Sequence, residues 1–222
     1  MSVKTHPLPA DRFGDYISLL ASVDQMPLLP HAACCAFLLG TGARIGEALT
    51  VRMKNLFAPD GTPLERVTRT LEKKRGRVAH LTVAFPWGHI GQPLIAWRSW
   101  VQRNMAAGPD DYLFCRRWSG EPMTRYALRR GNIRMLEQLG IPWRGVALHG
   151  LRKTILRKIL QDQLDQGKNW LEAARYCQEY ACHERIDTTI RYLADDQPTD
   201  NPAMMERIFN ISPAQNGQSV KP

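Results

Sequence analysis

The sequence predicts a mainly α-helical domain with a small antiparallel β-sheet, α+β in class. Three observations lead there. Apolar residues recur every three or four positions through most of the chain, as one face of a helix requires. Strand-like enrichment in Val, Thr and Leu is confined to two runs, "ERVTRTL" and "RVAHLTVAF", which "EKKRG" separates as a basic hairpin tip. The 222 residues suffice for one sizeable core, and neither an internal repeat nor a low-complexity linker divides them.

Taken in order, residues 11 to 23 place Phe13, Tyr16, Ile17 and Leu20 at helical spacing, with Asp11 as the expected N-cap. A second helix runs through "AACCAFLL" and stops at "GTG"; a third starts near Ala43 and carries Ile45, Ala48 and Leu49. After the two strands, "FPWGHIGQP" is a turn-rich break. Helices are then expected at 93–106, 124–139, 151–165, 169–180 and 186–194, with a short one at 203–210 and a disordered tail, "SPAQNGQSVKP".

Composition narrows the function. Hydrophobic residues at 44% and charged residues at 23% are ordinary for a soluble globular chain. No apolar run approaches the length of about 20 residues that a spanning helix needs, and "MSVKTHPLPADRF" lacks the apolar region of a secretory signal. A cytoplasmic protein without a membrane partner is expected. Cys34, Cys35, Cys115, Cys177 and Cys182 form no C-x-x-C pair, which predicts free thiols rather than a zinc site. Thirty Lys and Arg against twenty-one Asp and Glu give a net charge of +9. Such an excess suits a polyanion, because neutralising phosphates releases condensed counterions. The excess is clustered as well. "RGVALHGLRKTILRK" holds five basic residues and no acid, and residues 116 to 134 hold six arginines against Glu121 alone. Clustering points to nucleic acid without saying which kind.

Four segments carry side chains suited to phosphate chemistry. "GTGARIGEALTV" puts Arg44 at a helix start, where guanidinium and helix N-terminus both favour an anion, with Glu47 one turn later. The hairpin tip offers Lys73 and Lys74. "LHGLRKT" sets His149 and Arg152 three apart, hence on one helix face. "CHERIDTTIRY" places His183 nine residues before Tyr192. Each piece alone has a plainer reading: a capping arginine, a solvated turn lysine, a structural His-x-x-Arg, a tyrosine packed on a helix with its hydroxyl in water. Their combination in a basic chain is what points to chemistry.

In this combination the sequence resembles the tyrosine recombinase, or phage integrase, family over roughly residues 10 to 195. The motifs are "TGARIGEAL", "HGLR" and "CHERIDTTIRY", the last with the family's nine-residue separation and its Thr-Thr pair. The resemblance implies roles. Arg44 and Arg152 would grip the scissile phosphate through the planar guanidinium fork. Lys73, or Lys74 beside it, would protonate the departing 5′ oxygen; counting back from the second strand favours Lys73. His149 would assist removal of the tyrosine proton, and His183 would hydrogen-bond the phosphate. Tyr192 would attack phosphorus and form a 3′-phosphotyrosyl link. A phenol with pKa of about 10 needs such a base and cationic neighbours to act near neutrality. The covalent link conserves the phosphodiester energy, so no cofactor, metal or ATP is implied.

The implied partners are double-stranded DNA and, for strand exchange, three further copies in a homotetramer on DNA; the implied location is the nucleoid. Residues 1–195 would form one catalytic domain, and 196–222 a C-terminal helix and flexible tail, with the helix bearing Tyr192 mobile. Only 43 residues precede Arg44, so the N-terminal DNA-clamping domain of larger members is not expected, as in the short recombinases that invert fimbrial promoter switches. An accessory DNA-binding protein would then complete the grip. The chain departs from the family pattern at four places. Lys153 stands where a histidine is common, Cys182 where glycine is usual, and Asn55 where the first box ends in aspartate. Between Arg152 and His183 the chain is longer by about eight residues, about two helical turns, which "QLDQGKNWLEA" would absorb. Two other activities fit the same residues: a regulator or accessory factor that binds recombination sites with little or no turnover, and supercoil relaxation of the type IB topoisomerase kind. Nothing suggests the paired half-site architecture of a helix-turn-helix repressor.

Overall fold

The structure is a computed structural model that describes residues 5–71, 79–143, 146 and 148–194. Eight α-helices and a two-stranded sheet are found among the described residues. A short 3-10 turn, Ala10–Arg12, leads into α1, Phe13–Ser22. Asp11 is therefore not the N-cap: it lies inside that turn, and Arg12 caps α1 while pairing with Asp15 at 2.9 Å.

The centre of the core is α2, Leu29–Thr41, in which every residue except His31 is buried. Such an all-round apolar helix must be enclosed by others. It packs against α1, α4 (Gln92–Met105), α5 (Arg125–Gln138) and α6 (Leu148–Asp165). The helix stops at Gly42, which adopts the left-handed conformation at φ 60° that glycine tolerates best. A Cβ there would also lie 2.7 Å from the Tyr180 ring. Gly42→Ala should therefore lower stability by about 1–2 kcal/mol or more, as read by thermal melting; an unchanged melting temperature would refute the steric argument.

α3, Ile45–Leu49, follows at once and leads to the sheet. Strands β1 (Arg66–Leu71) and β2 (Ala79–Ala84) pair antiparallel with Val67 opposite Val83 and Arg69 opposite Leu81. The hairpin tip between them, with Lys73 and Lys74, lies outside the described residues, as do the expected helix at 203–210 and the tail.

A smaller cluster joins the last three helices, α6, α7 (Trp170–Ala181) and α8 (Ile186–Ala194). Leu156, Ala174, Cys177, Ala181 and Leu193 form its centre. α6 ends at Asp165 and α7 begins at Trp170. Asn169 caps α7 there, accepting the Glu172 amide at 3.0 Å while Glu172 returns the bond to the Asn169 amide at 3.1 Å. All five cysteines are free thiols, and four are buried. No helix among the described residues is long and apolar enough to cross a membrane.

Candidate active site

Five of the six expected site residues meet where α3, α6, α7 and α8 converge; the sixth, Lys73, lies outside the described residues. Arg44 is the residue before α3, in extended conformation, as a helix entry requires. Its amide donates to Glu47 Oε2 at 2.9 Å and its Nη1 to Glu47 Oε1 at 3.1 Å. About a third of its side chain remains exposed (36%).

α6 begins three residues earlier than its periodicity predicts, so His149 and Arg152 share its first turns. Arg152 is 1% exposed. Carbonyls rather than apolar atoms hold its guanidinium: Nη1 donates to Gly42 O, and Nη2 to Ala181 O at 2.5 Å. Nη2 also lies 3.1 Å from His183 Nε2. The buried Nε–H has no partner. Burial, then the charge of Arg44, pulls the Arg152 pKa down to about 10, so the group stays cationic near neutrality.

His183 follows the end of α7, where Cys182 takes the left-handed conformation at φ 51°. Glycine tolerates that geometry best, and Cys182 adopts it here. Since Arg152 can only donate, His183 Nε2 accepts, and Nδ1–H donates to Thr189 Oγ1 at 2.9 Å. One ring nitrogen thus meets Arg152 and the other Thr189. Burial and the neighbouring Arg152 and Arg44 lower the His183 pKa to about 3.

Tyr192 projects from α8 over this cluster. Its hydroxyl lies 2.5 Å from His149 Nε2, and its ring centroid lies 5.0 Å from those of both His149 and His183. The Arg152 guanidinium carbon and Lys153 Nζ each sit 5.9 Å from the Tyr192 ring centre. Burial raises the phenol pKa, partly opposed by Arg152 and Arg44. Burial also lowers the pKa of His149, aided by Arg152, Lys153 and Arg44. A protonated phenol therefore faces a neutral imidazole, the pairing in which a proton can pass from oxygen to nitrogen.

The family model described as the phage integrase family matches residues 15–198. The chain belongs to the phage integrase family. Solved structures agree in fold. The XerH site-specific recombinase bound to palindromic difH substrate, in a post-cleavage complex, superposes with a TM-score of 0.65 at 18% identity, covering 95% of this chain and 54% of that one. XerA recombinase gives a TM-score of 0.59 at 18% identity, over 97% of this chain and 66% of the other. The Tn1549 transposon integrase in complex with circular intermediate DNA gives 0.56 at 19% identity, over 90% and 64%. This chain thus spans about half the length of the XerH chain it matches. No curated protein sequence matches it.

The sequence assigns no role to two residues that build this integrase-family site. Thr189, one of the Thr-Thr pair, is fully buried against His183. Arg69 is buried on β1 and pairs with Glu47. The inward alternation Val67–Arg69–Leu71 carries a signal of it: an arginine on an apolar stripe needs a buried partner.

The low His183 pKa predicts acid sensitivity. The unfolded chain protonates this histidine near pH 6.5 while the folded chain resists down to about 3, so stability is lost as pH falls through that window. Two pH units below the unfolded value cost about 2.7 kcal/mol from this group. His31, lowered to about 4 by burial and Arg134, adds to the loss. Urea midpoints between pH 7 and 4.5 measure the sum, and His183→Gln should flatten part of the slope; an identical slope in that variant would refute the assignment.

Proposed function

We propose that this chain is a site-specific DNA recombinase that cleaves and rejoins strands through a 3′-phosphotyrosyl intermediate, with residues 1–195 as its catalytic domain. The observation that carries the reading is the 2.5 Å approach of the Tyr192 hydroxyl to His149 Nε2 beside the guanidiniums of Arg152 and Arg44. In the proposed step the Tyr192 oxygen bonds to phosphorus and the bond to the 5′ oxygen breaks. The phenol proton passes to His149. The departing oxygen takes a proton from the hairpin lysine, Lys73 or its neighbour Lys74. Arg44 and the Nε–H of Arg152 stabilise the charge that gathers on the non-bridging oxygens, the role in which fixed donors are most effective. Double-stranded DNA is the proposed partner, with a homotetramer at strand exchange and an accessory DNA-binding protein completing the grip.

The test uses a nicked suicide duplex, from which a short fragment diffuses after cleavage. A denaturation-resistant protein–DNA adduct, with the DNA mapped to the peptide containing Tyr192, is the expected product. Binding without an adduct on any duplex would favour the second reading, a DNA-binding regulator of recombination. One observation speaks for that reading: Arg152 is 1% exposed, which leaves a phosphate little access to it in this arrangement.

A further inference from the structure

A charged residue occupies the apolar face of β1. Arg69 is 1% exposed, between the inward-facing Val67 and Leu71. Its Nη1 donates to Glu47 Oε2, its Nη2 donates to the Tyr180 carbonyl at 3.1 Å, and its buried Nε–H has no partner. Glu47 is wholly buried, and its carboxylate is shared, since it also accepts the Arg44 amide and Nη1. The next carbonyl along α7, that of Ala181, goes to Arg152. Two buried guanidiniums therefore cap the end of the helix that delivers His183, where a cation is favoured by the helix dipole.

Stability does not explain this arrangement, because apolar residues packed in place of a buried ion pair are often neutral or stabilising. Charge does. Glu47 holds Arg44 by its amide and its side chain at once, which orients the guanidinium but would also cancel it. With Arg44 and Arg152 alone against Glu47 the cluster carries 2 − 1 = +1; with Arg69 it carries 3 − 1 = +2. We propose that Arg69 is a positioning residue of the phosphate site: it shares Glu47, so that the carboxylate orients Arg44 without neutralising it, and it fixes the α7 terminus against which Arg152 and His183 are set. The inference rests on the recombinase function proposed above.

The experiment compares the rate of adduct formation on the nicked suicide duplex, and separately duplex affinity, for the full chain and three variants. Arg69→Met leaves Glu47 free to neutralise Arg44, and the rate should fall about 100-fold, the scale of losing one transition-state donor, while affinity changes little. Glu47→Gln/Arg69→Met removes the surplus negative charge and should regain at least about tenfold of that loss; a purely structural role for Arg69 predicts a double variant no faster than the single one. Thermal melting shows whether each variant folds. If Arg69→Met does not fold, Arg69→Lys decides: it keeps the charge but lacks the fork for two acceptors, and its rate should fall about tenfold. A wild-type rate in a folded Arg69→Met or in Arg69→Lys overturns the inference, as does a double variant without recovery. Absence of any adduct from the wild-type chain overturns the recombinase reading instead. In that case the rise in melting temperature with inorganic phosphate reads the inference, which requires a larger rise in the wild type than in Arg69→Met.

Discussion

Tyr192→Phe should leave a folded, DNA-binding domain that forms no covalent adduct. The substitution removes one oxygen and keeps the ring. What the fold loses is the hydrogen bond to His149, a side chain only partly covered and still open to solvent, so the stability cost should stay near about 1 kcal/mol. The ring contacts with His149 and His183 persist. The chemistry has no such reserve. Without the phenol oxygen there is no nucleophile to form the covalent intermediate, and adduct yield should drop by at least about 10⁴-fold. The suicide-substrate assay reads the yield, and a duplex titration with the same preparation reads binding. An adduct surviving at more than a trace would move the nucleophile to another residue.

Arg152→Ala should damage both stability and chemistry. The guanidinium is the common partner of Gly42 O, Ala181 O and His183 Nε2, contributed by two stretches of chain far apart in sequence. Its removal strands buried acceptors at about 1–3 kcal/mol each, offset by relief from burying a charge, for a net loss of roughly 2–4 kcal/mol. A domain of ordinary stability, about 5–15 kcal/mol, would survive that at low temperature. In the surviving folded fraction adduct formation should be lost while much of the duplex affinity remains, because many other basic residues contact a polyanion. Arg152→Lys should recover part of the stability and little of the chemistry, since an ammonium cannot serve several divergent acceptors and a phosphate together. Urea unfolding and adduct rates normalised to folded protein separate the effects. Cleavage that merely tracks the folded fraction would make Arg152 a structural residue only.

Much of this was legible in the residues themselves, where the deciding interactions are local. Helical spacing located α4, α5, α7 and α8 to within a residue or so at each end. Val- and Thr-rich alternation marks the two strands of the sheet. The three-residue interval between His149 and Arg152 and the nine between His183 and Tyr192 keep each pair close because one turn, or one short helix, spans the interval. What stayed hidden depends on partners distant in the chain. Nothing next to Arg152 in the chain reports its acceptors, Gly42 O, 110 positions away, and Ala181 O. Arg69 needs Tyr180, 111 positions away. Asp11 has the chemistry of a cap, but the chain enters α1 through a 3-10 turn that puts Arg12 there instead. Periodicity puts the start of α6 three residues late, since Leu148 is buried by the tertiary fold, a contact that spacing within the helix does not report.

That the buried Arg152 leans on peptide oxygens has a further consequence. Every residue carries a carbonyl, so the sites supplying those oxygens are free to drift in side-chain identity provided the local chain path persists. Such a socket is inherited with the trace of the backbone rather than with any motif. It can therefore outlast most of the letters that surround it.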